Sequence, residues 1–182
     1  MHSFLLRILG TVLLACIGTV GTAQTDDSAE IARLFAAGQS TEAFERLDRA
    51  LAARPRDPQL RFQKGVMLAD LQRSDEAVAV FTELTVDYPE LPEPYNNLAV
   101  IQAARGDFDQ ARASLEAALR AQPAYAVAHQ NLGDIYTQLA RRAYAQALQL
   151  DPSNRSIPPK LTTLRDIVTP VAGAPRAAAT PR

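Results

Sequence analysis

Pro55, Pro89 and Pro123 stand 34 apart in the chain, and other residue types keep the same step. Ala43, Ala77 and Ala111 share it, as do Leu47, Phe81 and Leu115, and as do Ile31, Gly65, Ala99 and Gly133. Small residues recur where two helices cross closely, large apolar ones where a gap needs filling, and proline where a helix must stop. A unit this short cannot bury its own apolar face, so units of this kind stack on one another. The chain therefore folds as a row of near-copies.

The unit from Pro92 to Pro123 reads as two helices and one break. Tyr95, Leu98, Ala99 and Ile101 share one side of a helical period, Gly106 stops that helix, and Asp107 offers a cap for the next. The second run carries Ala111, Leu115, Ala118 and Leu119 at helical spacing until Pro123. Each helix has one apolar face, so a lone pair would leave half of it wet.

This pattern resembles the tetratricopeptide repeat, a helix-turn-helix unit with the same period. The resemblance implies an all-α chain, a short right-handed α-solenoid of three to four helix pairs, with repeats near 24–57, 58–91, 92–125 and 126–152. Repeat three carries the fullest match, and repeat two has Lys64 where a leucine is usual. Asp27 and Glu30 offer a capping box to repeat one, and Ser74 is expected to cap the second helix of repeat two. The run Tyr88 to Pro94 holds three prolines and is expected to make a stiff turn.

Repeat four starts in register, with His129, Asn131, Leu132, Gly133 and Tyr136. Its closing proline stands at 152 and not at 157, so the unit is five short. No Gly, Pro, Asp, Asn or Ser lies between Ile135 and Leu150 to make a turn. The last unit is therefore expected to fuse into one helix from Val127 to Leu150. A linker and a short capping helix from Lys160 to Val168 are expected over 153–168, the helix carrying Leu161, Leu164, Ile167 and Val168, and 169–182 is expected to be disordered.

The segment 1–23 reads as a secretory signal peptide: a positive start with Arg7, an apolar run from Ile8 to Val20, and small residues ending at Ala23. The run is too short to span a bilayer, which takes about 20 apolar residues. Cleavage after Ala23 would leave a periplasmic or secreted chain. Cys16, in Leu13-Leu14-Ala15-Cys16, resembles a bacterial lipobox, and acylation there would make the alternative product an outer-membrane lipoprotein. Ile17 to Val20 continue the apolar run where a lipoprotein turns polar, which favours simple cleavage. That cleavage removes Arg7 and no acid, taking the 19 basic residues to 18 against 20 acidic ones, a balance that disfavours nucleic acid.

The family binds protein or peptide segments along the concave side, which is lined by the first helix of each unit. The resemblance places there Gln59, Phe62, Gln63 and Val66, then Glu93, Asn96, Asn97 and Val100, then Val127, Gln130, Asn131 and Asp134. Gln63, Asn97 and Asn131 form a ladder of amides 34 apart. A side-chain amide both donates and accepts, so such a ladder suits the backbone of an extended peptide; the same amides are equally suited to bonding across helices. Of the carboxylate clamp that some members use to hold chaperone tails, only Asn97 matches.

Enzyme chemistry has little footing. Past residue 23 there is one histidine, His129, and no cysteine, so neither a zinc cluster nor a thiol nucleophile can be assembled, and no cofactor is implied. The reading is a non-catalytic periplasmic adaptor that holds a partner segment in its groove. The alternative is a lipid-anchored structural component of an outer-membrane assembly, tethered through Cys16. An exposed last helix also suits pairing with a twin copy.

Overall fold

A computed structural model describes residues 20–167, with side chains described from Asp27 onward. The expected signal segment up to residue 19, with Cys16, and the tail from 168 lie outside the described residues. Eight helices follow among those described: α1 (Val20–Ala36), α2 (Ser40–Ala53), α3 (Pro58–Asp70), α4 (Ser74–Asp87), α5 (Pro92–Ala104), α6 (Phe108–Ala121), α7 (Ala126–Leu150) and α8 (Ile157–Ile167). They pack in consecutive pairs, α1 on α2, α3 on α4 and α5 on α6, and each pair packs on the next.

The turn inside each pair is the same device three times. Gly38, Gln72 and Gly106 hold φ of 78°, 61° and 83°, the left-handed region that reverses a helix end. The next amide then reaches back to a carbonyl of the last turn, Gln39 to Leu34 O at 3.0 Å, Arg73 to Leu68 O at 2.9 Å and Asp107 to Gln102 O at 2.9 Å. These bonds satisfy carbonyls that a helix C-terminus otherwise leaves open. Glycine takes this conformation without strain, whereas Gln72 has a Cβ that it must accommodate.

The capping expectations need correcting. Arg73, not Ser74, occupies the N-cap of α4, and neither it nor Asp107 makes a side-chain cap bond. Asp27 lies inside α1, where its carboxylate pairs with Arg46 at 3.0 Å and Arg54 at 3.2 Å from α2. The Schellman turn already fixes each helix start, so no polar side chain is needed there. Asp57 does cap α3, accepting from the amides of Gln59 and Leu60.

The core runs along the row as three connected clusters, one per junction. Ala43, Ala77 and Ala111, and likewise Leu47, Phe81 and Leu115, are completely buried, so the periodic positions are the helix-to-helix contacts. Gly65 shows why size is set there: a Cβ on it would meet Phe81 Cε1 at 2.6 Å. Complete burial of a side chain like that of Phe81 stabilises by about 1.5–3 kcal/mol.

The fourth unit departs from this plan as its sequence predicts. Residue 140, which is 34 past Gly106, is Ala140, and the helix passes straight through it. α7 spans 25 residues, or about 37 Å at 1.5 Å each. Its N-terminal half packs on α6, and α8 lies against it with Ile157 buried and Lys160 Nζ 5.1 Å from the Tyr144 ring centre. The capping helix begins at Ile157, slightly before the expected Lys160 start.

Candidate partner-binding surface

The first helices α1 and α3, and likewise α5 and α7, stand side by side, and amides join each of these two pairs. Gln63 on α3 donates its Nε2 to Ser28 O at 3.0 Å, while its Oε1 accepts from Ser28 Oγ at 3.0 Å on α1. Asn131 on α7 donates its Nδ2 to Asn96 Oδ1 on α5 at 2.8 Å. Both bonds run 35 residues back, so each ladder amide reaches the position just before the ladder in the preceding unit.

Asn97 breaks the sequence. The residue 35 before it is Phe62, whose ring packs against Phe81 at 5.6 Å between centroids and offers no acceptor. Asn97 therefore turns its Nδ2 to Glu93 O in its own helix at 2.9 Å. Its Oδ1 is buried without a partner, one of two such side-chain atoms among the described residues.

The twelve residues assigned from the resemblance thus sort by depth. Asn96 and Asn97 are buried; Phe62, Gln63, Val66, Glu93, Val100, Asn131 and Asp134 are half-buried; Gln59, Val127 and Gln130 are exposed. Phe62 and Val66 also pack against the second core cluster. Among the described residues the side chains of Gln59, Glu93, Gln130 and Asp134 make no hydrogen bond or ion pair. Burial raises the Asp134 carboxyl above its ordinary value, and burial together with the Glu93 charge raises the Tyr125 phenol at the start of α7. Other charges pair across helices: Arg61 holds Glu83 and Asp87, Arg105 holds Asp75, and Arg142 holds Asp109.

Ser28 and Asn96 are the hydrogen-bond partners that ladder counting overlooks. The signal was present, since positions 28, 62 and 96 also keep the 34-residue step, but Ser, Phe and Asn share no chemistry that would mark them. His129 is exposed, with its Nε2 at 2.9 Å from Pro123 O, and no cluster of three metal-ligating residues occurs among the described ones. Two surface hollows sit near the first junction, at Arg54–Pro58 and beside Asp27 and Arg46; neither includes a groove residue.

Tetratricopeptide repeat models match residues 29–92 and 92–125, so the matched span coincides with the paired helices α1 to α6. The chain is a tetratricopeptide repeat protein. Among curated proteins, this tetratricopeptide repeat chain is similar to the chloroplastic tetratricopeptide repeat domain-containing protein PYG7 of Arabidopsis thaliana, at 34% identity over 87 residues. That match covers 45% of this chain and 29% of the relative, so the chain spans under a third of that protein. A chain in the solved structure of Naa15/Naa10 bound to HypK-THB superposes with a TM-score of 0.52 at 17% identity, covering 79% of this chain and 22% of that one. At that identity the likeness shows the shared fold alone. Scaffolds of this family generally bind proteins and are generally non-catalytic.

Proposed function

We propose that this protein is a non-catalytic, exported adaptor that holds an extended segment of a partner protein along the first helices of its repeats. The observation that carries the reading is the row of polar side chains without internal hydrogen bonds, Gln59, Glu93, Gln130 and Asp134, on helices whose ladder amides Gln63, Asn97 and Asn131 are taken up inside the protein. Glu93 and Asp134 are both acidic, so the fitting segment presents backbone amides and a basic side chain. Export is supported by the order of residues up to Ala23. The alternative, a lipid-anchored structural component of an outer-membrane assembly, is favoured only by Cys16 in its lipobox-like setting.

Photo-crosslinking in intact cells from Val100 and Gln130 tests the groove, with outward Arg112 and Glu116 as controls. Capture of one protein from the first pair only, reduced by Glu93→Lys, is the expected result; capture from the controls alone refutes the assignment. The mass of the purified chain separates the two forms: a start at Gln24 supports the soluble adaptor, and an acylated start at Cys16 supports the anchored one.

A further inference from the structure

The fused helix α7 contains both halves of a repeat that cannot meet within one chain. Its N-terminal half carries the first-helix positions of repeat four. Its C-terminal half carries the second-helix positions, since Ala140, Tyr144, Ala147 and Pro152 keep one constant offset from Ala111, Leu115, Ala118 and Pro123. In repeat three, Ala111, Leu115 and Ala118 are completely buried against a first helix. In α7, Ala140, Tyr144 and Ala147 are only half-buried.

The first-helix half is equally unfinished. Gly65 in repeat two is pressed by Phe81, but its equivalent Gly133 has nothing within 4 Å of where a Cβ would be. By the same register the residue that belongs over Gly133 is Tyr144. That residue lies further along one straight helix, about 16 Å away at 1.5 Å per residue. Around Gly133 a stripe remains open: Gly133, Tyr136, Ala140, Ala143, Ala147 and Leu150 recur at steps of three and four. Tyr136 is 50% exposed and Leu150 78%, and no charged side chain stands on the stripe. α8 covers the adjoining side, at Tyr144.

We infer that a second copy of this chain occupies the stripe, with the two α7 helices antiparallel, each C-terminal half serving as the missing second helix of the other's fourth repeat. Steps of three and four are the spacing of a two-helix seam, and small residues on it allow close approach. When Ala143 of the second copy covers Gly133 of the first, symmetry places Ala143 of the first over Gly133 of the second. The two-fold axis then passes at residue 138, the middle of Ala126–Leu150, so both helices overlap along their whole length. The interface continues the one that already holds α3 to α4 and α5 to α6. It is self-complementary, as a symmetric dimer requires. This pairing does not depend on what the groove binds.

Sedimentation equilibrium of the purified full-length chain, with Cys16→Ser to exclude adventitious disulfides, tests the pairing. The expected species is a dimer that Ala143→Glu converts to monomer, with helix content by circular dichroism retained because residue 143 is exposed in the single chain. For orientation, Gly133→Cys chains mixed with Ala143→Cys chains are expected to form a disulfide-linked dimer on mild oxidation. Gly133→Cys chains alone are not, because two copies of residue 133 stand about 15 Å apart along the axis of the antiparallel pair. A monomer at about 100 µM, a dimer that Ala143→Glu leaves intact, or ready crosslinking through Gly133→Cys alone overturns the inference.

Discussion

Replacing Gly65 by alanine puts one methyl group where repeat two has no room for it. The new Cβ would lie 2.6 Å from Phe81 Cε1, 2.8 Å from Cζ and 3.0 Å from Cδ1. The Phe81 ring is completely buried and leans on Phe62 with centroids 5.6 Å apart, so it has nowhere to withdraw. Overpacking of this kind costs about 1–3 kcal/mol, offset by roughly 1 kcal/mol because alanine is the better helix former. The expected net loss is about 1 kcal/mol, read as a fall of about 0.5 M in the urea midpoint. Repeat three supplies the control, for it holds Ala99 and Leu115 where repeat two holds Gly65 and Phe81. Gly65→Ala with Phe81→Leu installs that pair in repeat two. The double variant is expected to be more stable than the sum of the two single losses by at least about 1 kcal/mol. If the losses simply add, glycine at 65 is not there to admit the phenylalanine ring, and the packing argument for the periodic positions fails.

Three further outcomes follow from the same coordinates. Asn131→Ala leaves the buried Asn96 Oδ1 without its donor and is expected to cost about 1–2 kcal/mol, whereas Asn97→Ala loses the bond to Glu93 O but also removes the buried, unpartnered Oδ1 and is expected to cost about half that; chemical denaturation compares them. Gln72→Gly relieves a left-handed Gln at φ 61° and is expected to stabilise by about 0.5–1 kcal/mol, seen as a raised urea midpoint. Burial raises the Asp134 carboxyl above 3.8, so folding favours its protonated form; that contribution is complete below the unfolded value and is lost as pH rises through the folded one. Asp134→Asn is therefore expected to gain stability relative to the parent as pH rises from 3 to 7, and a constant difference across that range would contradict the burial.

How much could be read without coordinates is clearest at the two ends of the row. The fused helix was legible because residues 136–149 contain none of the types that make a turn, and the structure runs α7 from Ala126 to Leu150. The starts of the second helices and of α7 were legible to within a residue, whereas those of α1 and α8 were not, and neither was the chemistry of the starts. Ser74 and the Asp27–Glu30 pair look like caps, yet Schellman bonds at Gln39, Arg73 and Asp107 define the starts of the second helices, and Asp27 is spent on two arginines of the neighbouring helix. A local pattern offers several uses for one carboxylate, and the neighbour that decides among them comes from another part of the chain.

Periodicity alone determined the architecture here, since a step of 34 in proline, alanine and large apolar residues admits one way of burying every unit's apolar face. The tertiary structure decided where each amide goes. Gln63, Asn97 and Asn131 look alike at the same step, but only the residue brought opposite, Ser28, Phe62 or Asn96, settles which amide is satisfied and which is stranded. Hydrophobic burial is set by spacing along one chain, whereas a hydrogen bond is set by the single atom that packing places within reach.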